Sequence, residues 1–147
     1  MSTEIIFLTL SVANKLRVVC DVVESEFSKG NKVVINVSDE AEGKNLDNML
    51  WSWKQSTFIP HNFSDSLENH NEDPVLISTD VKENIAYDTL ILVHPSELEI
   101  CNYYKNVIDF AEKYNPTKLE TDRKRYKLYR DKKYKIEALN PGEFLHK

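Results

Sequence analysis

Glycine is scarce in this chain, with only Gly30, Gly43 and Gly142 among 147 residues. None of the three sits in a GxGxxG fingerprint or a P-loop, so the standard glycine-cradled phosphate sites of α/β proteins are excluded. Cysteine is nearly absent: Cys20 and Cys101 have neither metal-ligand spacing nor the makings of a disulfide framework. Cys20 falls on the apolar side of a helical pattern, where a thiol serves as a small buried hydrophobe. The four histidines, His61, His70, His94 and His146, include no pair at ligand spacing. No metal and no cofactor is expected. Apolar runs never approach the roughly 20 residues that span a bilayer, and the start MSTEIIFLTL lacks a basic segment ahead of its short apolar run. The expectation is a cytoplasmic protein without membrane contact. Acidic residues are plentiful but scattered, and no set of nucleophile, base and orienting group can be assembled from them.

What the chain does have is an uneven distribution of charge. The net charge is −5, yet residues 118–135 hold nine basic and three acidic residues, a local +6 that leaves −11 for the rest. One basic segment on an acidic body suits an acidic peptide or a phosphate backbone as partner, not a surface that coats nucleic acid everywhere.

The hydrophobic pattern predicts alternating strands and helices in one domain over residues 1–147. Strands are expected at residues 4–10, 32–37, 74–78 and 88–93, each an apolar, largely β-branched run. Leu16, Val19, Cys20, Val23 and Phe27 recur at helical spacing, with Gly30 placed as a C-terminal cap. Ser38 or Asp39 can cap the next helix. Residues 64–73 form a polar segment expected to be a flexible loop, and residues 98–114 suit either a helix or a strand. Asn115 or Thr117 can cap a last helix running to about residue 131, followed by an edge strand at 134–139. The expected architecture is a three-layer α/β/α domain with a mainly parallel sheet, Rossmann-like in topology but without a nucleotide-binding glycine loop.

The stretch LDNMLWSWKQSTFIPHN at residues 46–62 carries the most information. At about 100° per residue, Leu46, Met49, Leu50 and Trp53 share a face and Trp51 points about 150° away from it. Two readings are open. Trp51 folds back under a loop as core, or it stands outward as an interface residue, extended by Phe58, Ile59 and Phe63 beside Pro60. His61 is expected to play a structural hydrogen-bonding role. A second cluster, RKRYKLYR at residues 123–130, places Arg123, Tyr126, Lys127 and Arg130 at i, i+3, i+4 and i+7, a stripe of cations around one aromatic ring. A bland solvated helix face is the competing reading for this run.

Two motifs in this order resemble the DNA polymerase III chi subunit family: Leu46, Asp47, Leu50, Trp51, Phe58, Pro60, His61 and Asn62, then Arg123, Arg125, Tyr126, Lys127, Tyr129 and Arg130. The resemblance implies a non-enzymatic accessory subunit of the clamp loader with two faces. It places Trp51 and Phe58, with Leu50, Ile59 and Pro60, against a psi subunit. It places Arg123, Tyr126, Lys127 and Arg130 against the acidic C-terminal tail of single-stranded DNA-binding protein (SSB), which ends in a phenylalanine and its free carboxylate. Lys118 stands in for a first-turn lysine of the family, because Leu119 occupies the aligned position. The resemblance also implies a helix that ends early within residues 98–114 and a strand near 106–110. The clamp loader and DNA would be reached only indirectly. From different classes, the alternatives are a small nucleotide-dependent or hydrolytic α/β enzyme and direct nucleic-acid binding by the basic helix.

Overall fold

Among the described residues seven strands form the sheet, and their alternation decides its two faces. In a computed structural model that describes residues 3–53, 59–63, 73–81 and 87–146, β1 (Glu4–Leu10) turns Ile5 and Phe7 to one side and Leu8 and Leu10 to the other. The remaining strands are β2 (Val33–Asn36), β3 (Asn62–Phe63), β4 (Val75–Ser78), β5 (Thr89–Leu92), β6 (Asn106–Glu112) and β7 (Lys135–Leu139). Their order is β3-β4-β2-β5-β6-β1-β7, and every pairing is parallel. Continuous apolar runs such as Val33–Asn36 are what a strand covered on both faces requires.

Helices α1 (Lys15–Ser28), α2 (Glu40–Trp51) and α4 (Pro141–Leu145) cover one face of the sheet, and the 3-10 helix Leu98–Tyr103 with α3 (Pro116–Asp131) covers the other. The three-layer α/β/α architecture expected from the pattern is therefore the one that forms. Helix α1 ends at Gly30, whose φ of 81° is free of steric cost only for glycine. Asp39 caps α2 through Glu42 N–H at 2.8 Å, and Asn115 caps α3 through Lys118 N–H at 3.2 Å. Gly43 is required for a different reason. A Cβ there would stand 2.6 Å from the Phe63 ring, so the glycine lets β3 close onto α2.

Residues 98–114 split as the family resemblance implied, into the 3-10 helix and β6. Two elements went unanticipated. The pair Asn62–Phe63 is too short to leave a periodic signal. Helix α4 is announced by a reciprocal cap, in which the Asn140 side chain accepts from Glu143 N–H and the Glu143 side chain accepts from Asn140 N–H. Its Phe144 joins the α1–α2 core. The polar segment expected to be a loop falls outside the described residues, apart from Asp73.

Candidate functional site

Helix α2 buries Leu46 and Leu50 against the sheet, with Met49 and Trp53 half-covered beside them. The remaining direction at its C-terminal end belongs to Trp51, which is 56% exposed. Its ring lies 4.5 Å from that of His61, tilted by 49°. The His61 imidazole in turn is enclosed and held at both ring nitrogens: Nδ1 meets Ile59 O at 2.7 Å, and Nε2 meets Asp47 Oδ1 at 3.1 Å and Asp47 O at 3.3 Å. The returning loop is thus tied to α2, and Trp51 is given a firm backing instead of open solvent on both sides. Pro60, with its fixed φ, directly precedes His61 and is half-exposed.

Not every residue grouped with Trp51 is available to a partner. Leu50 is 3% exposed and Ile59 2%, and both belong to the core cluster under α1 and α2. Their side chains are spent on the sheet because Leu50 shares the Leu46 face, about 40° from it. The surface that geometry leaves is Trp51 and Pro60. Phe58 lies outside the described residues.

The second cluster divides more sharply. Around α3, Arg123, Lys127 and Arg130 are exposed and fall within about 60° of one another. Tyr126 lies on their inner flank, half-buried, with its ring edge-on to Phe7 at 5.3 Å. The stripe is therefore three cations beside one supported aromatic ring. Lys118 does not join it. It lies about 140° around the helix from Arg123 and turns toward Glu112, 3.7 Å away.

Glu112 sits at the end of β6 and is almost completely buried. Burial pushes its pKa up, but the Tyr114 hydroxyl at 2.6 Å and the ammonium groups of Lys15 and Lys118 outweigh that and hold it below the ordinary carboxylate value.

The other half of the second motif points inward, where the sequence reading had given it no separate role. Arg125 grips the buried Asp109 of β6 with Nε at 3.0 Å from Oδ2 and Nη2 at 2.9 Å from Oδ1. Nη2 also reaches Asp122 Oδ1 at 2.9 Å, and the Tyr129 hydroxyl donates to Asp109 Oδ2 at 2.9 Å. Burial works against the guanidinium charge, yet the two carboxylates prevail and its pKa is raised. Burial, and then Asp109, likewise push the Tyr129 phenol far up. The available signals were a lone Asp inside the apolar run Asn106–Glu112 and the i, i+4 spacing of Arg125 and Tyr129.

The family model for DNA polymerase III chi subunit, HolC, matches residues 1–137. The chain belongs to the chi family. Three relatives named DNA polymerase III subunit chi agree with that. The Haemophilus influenzae protein is 28% identical over 126 residues, covering 85% of this chain and 86% of the relative. The Pseudomonas aeruginosa protein is 28% identical over 125 residues, covering 84% of each. The Escherichia coli protein is 25% identical over 114 residues, covering 78% and 77%. Membership in the chi family sets the context as DNA replication. No helix among the described residues is long and apolar enough to cross a membrane, and no His, Cys, Asp and Glu cluster among them could hold a metal ion.

Proposed function

We propose that this chain is a non-catalytic accessory subunit of the DNA polymerase III holoenzyme that links the clamp loader, through a psi subunit, to the acidic tail of SSB. The observation that carries the reading is the placement of the two surfaces. Trp51 closes the helix packed on the β3–β4 side of one sheet face, whereas Arg123 and Tyr126 stand on the helix over β6 and β7 of the opposite face. Surfaces so separated can hold two partners at once.

The chemistry of each surface suits its proposed partner. Trp51, braced by His61, is an aromatic contact of the kind that dominates protein interfaces. Arg123 can take a terminal carboxylate with two parallel hydrogen bonds, while the half-buried Tyr126 ring offers an apolar face to a terminal phenylalanine and Lys127 and Arg130 attract the preceding acidic residues.

The test is assembly in solution. The chain, psi and an SSB tail peptide should co-elute as a ternary complex, and neither partner should displace the other. Mutual displacement would overturn the bridging role. Binding of plain single-stranded DNA with steep salt dependence, and no preference for the tail peptide, would point instead to direct nucleic-acid binding by α3.

A further inference from the structure

Helix α3 has no aliphatic stripe with which to fix its own rotation, and its apolar packing comes from the rings of Tyr126 and Tyr129 against Phe7. Only Asp122 and Tyr129 of its sixteen residues are buried, and its aliphatic Leu128 is 52% exposed. Helix α1, by contrast, buries Val18, Val19, Cys20, Val22 and Val23 over one broad face. An apolar face of that kind selects a single rotation. Leu119 and Leu128 of α3 lie on opposite flanks, about 180° apart, and favour neither.

We infer that Arg125 is a positioning residue for the cationic stripe: its ion pairs with Asp109 and Asp122 set the rotation and register of α3, and with them the places of Arg123 and Tyr126. The inference rests on the reading of that stripe as the site for an acidic peptide with a free C-terminal carboxylate. The guanidinium is a rigid fork whose donors fit Asp109 in one orientation. The lattice around it ties the helix to β6 at three residues. Asp109 receives Arg125 and Tyr129, Phe110 O accepts from Arg125 Nη2 at 3.3 Å, and Asp122 Oδ2 accepts from Glu112 N–H at 2.9 Å. A slip of one residue moves the helix about 1.5 Å and turns it about 100°, which breaks all of these contacts. Arg125 also lies 6.0 Å from the Phe7 ring that supports Tyr126. The inward and outward residues of the motif therefore share one floor. A buried ion pair adds little net stability, and selection of one register is the best-attested use of such polar contacts.

The experiment is fluorescence anisotropy with an SSB tail peptide against the wild-type chain, Arg125→Met, Arg123→Ala and the double variant, with thermal melting in parallel. Because Arg125→Met leaves Asp109 without its partner and can unfold the chain, Arg125→Met combined with Asp109→Leu serves as the second background. It replaces the pair with apolar groups. Variants that stay folded should lose about tenfold in affinity in the wild-type background and less than about twofold when Arg123 is already alanine, since residues acting through one another are not additive. Unchanged affinity, or the same loss in both backgrounds, overturns the positioning role while the peptide site stands. Failure of the wild-type chain to bind the peptide overturns both.

Discussion

The two candidate surfaces are built on opposite principles. At the end of α2 an exposed indole stands on a helix already fixed by Leu46 and Leu50 in the core, with His61 bracing the ring from a hydrogen-bonded loop. On α3 the exposed groups are mostly cations, and the helix is held by an ion-pair lattice beside two tyrosine rings packed on Phe7, with no aliphatic stripe. The difference teaches where each surface is vulnerable. Trp51 can be removed without touching the supports of its helix, whereas the supports of α3 include paired charges that fail if one member is lost. The first surface should also be indifferent to salt, and the second should weaken as exposed charges are screened.

The largest effect should come from breaking the lattice. Asp109→Ala leaves the Arg125 guanidinium buried without its main partner, and loss of one member of a buried pair typically costs about 3–5 kcal/mol. Urea unfolding should show it, while Trp51→Ala should change stability by less than about 1 kcal/mol. Comparable destabilisation by both variants would erase the contrast and make Trp51 core.

Next in size is the loss of a partner. Trp51→Ala should weaken the psi complex by about 2 kcal/mol or more, the usual cost of removing an aromatic hot spot, and the tail peptide should still bind. Co-purification with psi and anisotropy with the peptide read the two outcomes separately. A loss of both would mean that the surfaces are not independent.

A smaller effect is expected within the cationic stripe. Arg123→Ala should cost at least about tenfold in affinity for the tail peptide, whereas Lys127→Ala should cost less and chiefly at low salt. A peptide without its final phenylalanine should bind more weakly. Equal binding of the two peptides would reduce α3 to a generic positive surface.

The smallest effect concerns acid stability near the first turn of α3. Glu112 has its folded pKa lowered from the ordinary 4.5, with Tyr114, Lys15 and Lys118 overcoming the opposing effect of burial. A depressed folded pKa means that its stabilisation is fully present above the unfolded value and lost as pH falls through the folded one. Stability should thus decline below about pH 4.5, and Glu112→Gln should make that decline shallower. Urea midpoints across this range decide the matter; identical slopes would remove Glu112 from the account.

Much of the molecule was legible because its signals are local. The strands at β1, β2, β4 and β5 are uninterrupted apolar runs, and α1 is a periodic stripe closed by Gly30. The outward direction of Trp51 followed from its spacing relative to Leu46 and Leu50. The same spacing put Leu50 in the core, although the family resemblance had grouped it with Ile59 in the partner surface, and both are buried. The family resemblance offered Lys118 in place of a first-turn lysine because it neighbours Leu119, but the helix angle turns it away from the stripe toward Glu112. The cap of α4 was present in Asn140 and Glu143, but five residues are too few to carry a periodic pattern.

By itself the sequence determined the layered α/β class, the family and the two stretches on which its chemistry is concentrated. Periodicity and caps act within a few residues, so they survive without knowledge of the fold. Tertiary structure alone decided which side of the second motif is inside. Asp109 lies 16 residues from Arg125, and Asp47 lies 14 from His61. Local pattern can mark each member as unusual but cannot pair it with its partner. Each pair forms because a parallel sheet and its covering helices bring distant polar groups together, and the buried Asp109 carboxylate and the enclosed His61 ring must then find partners.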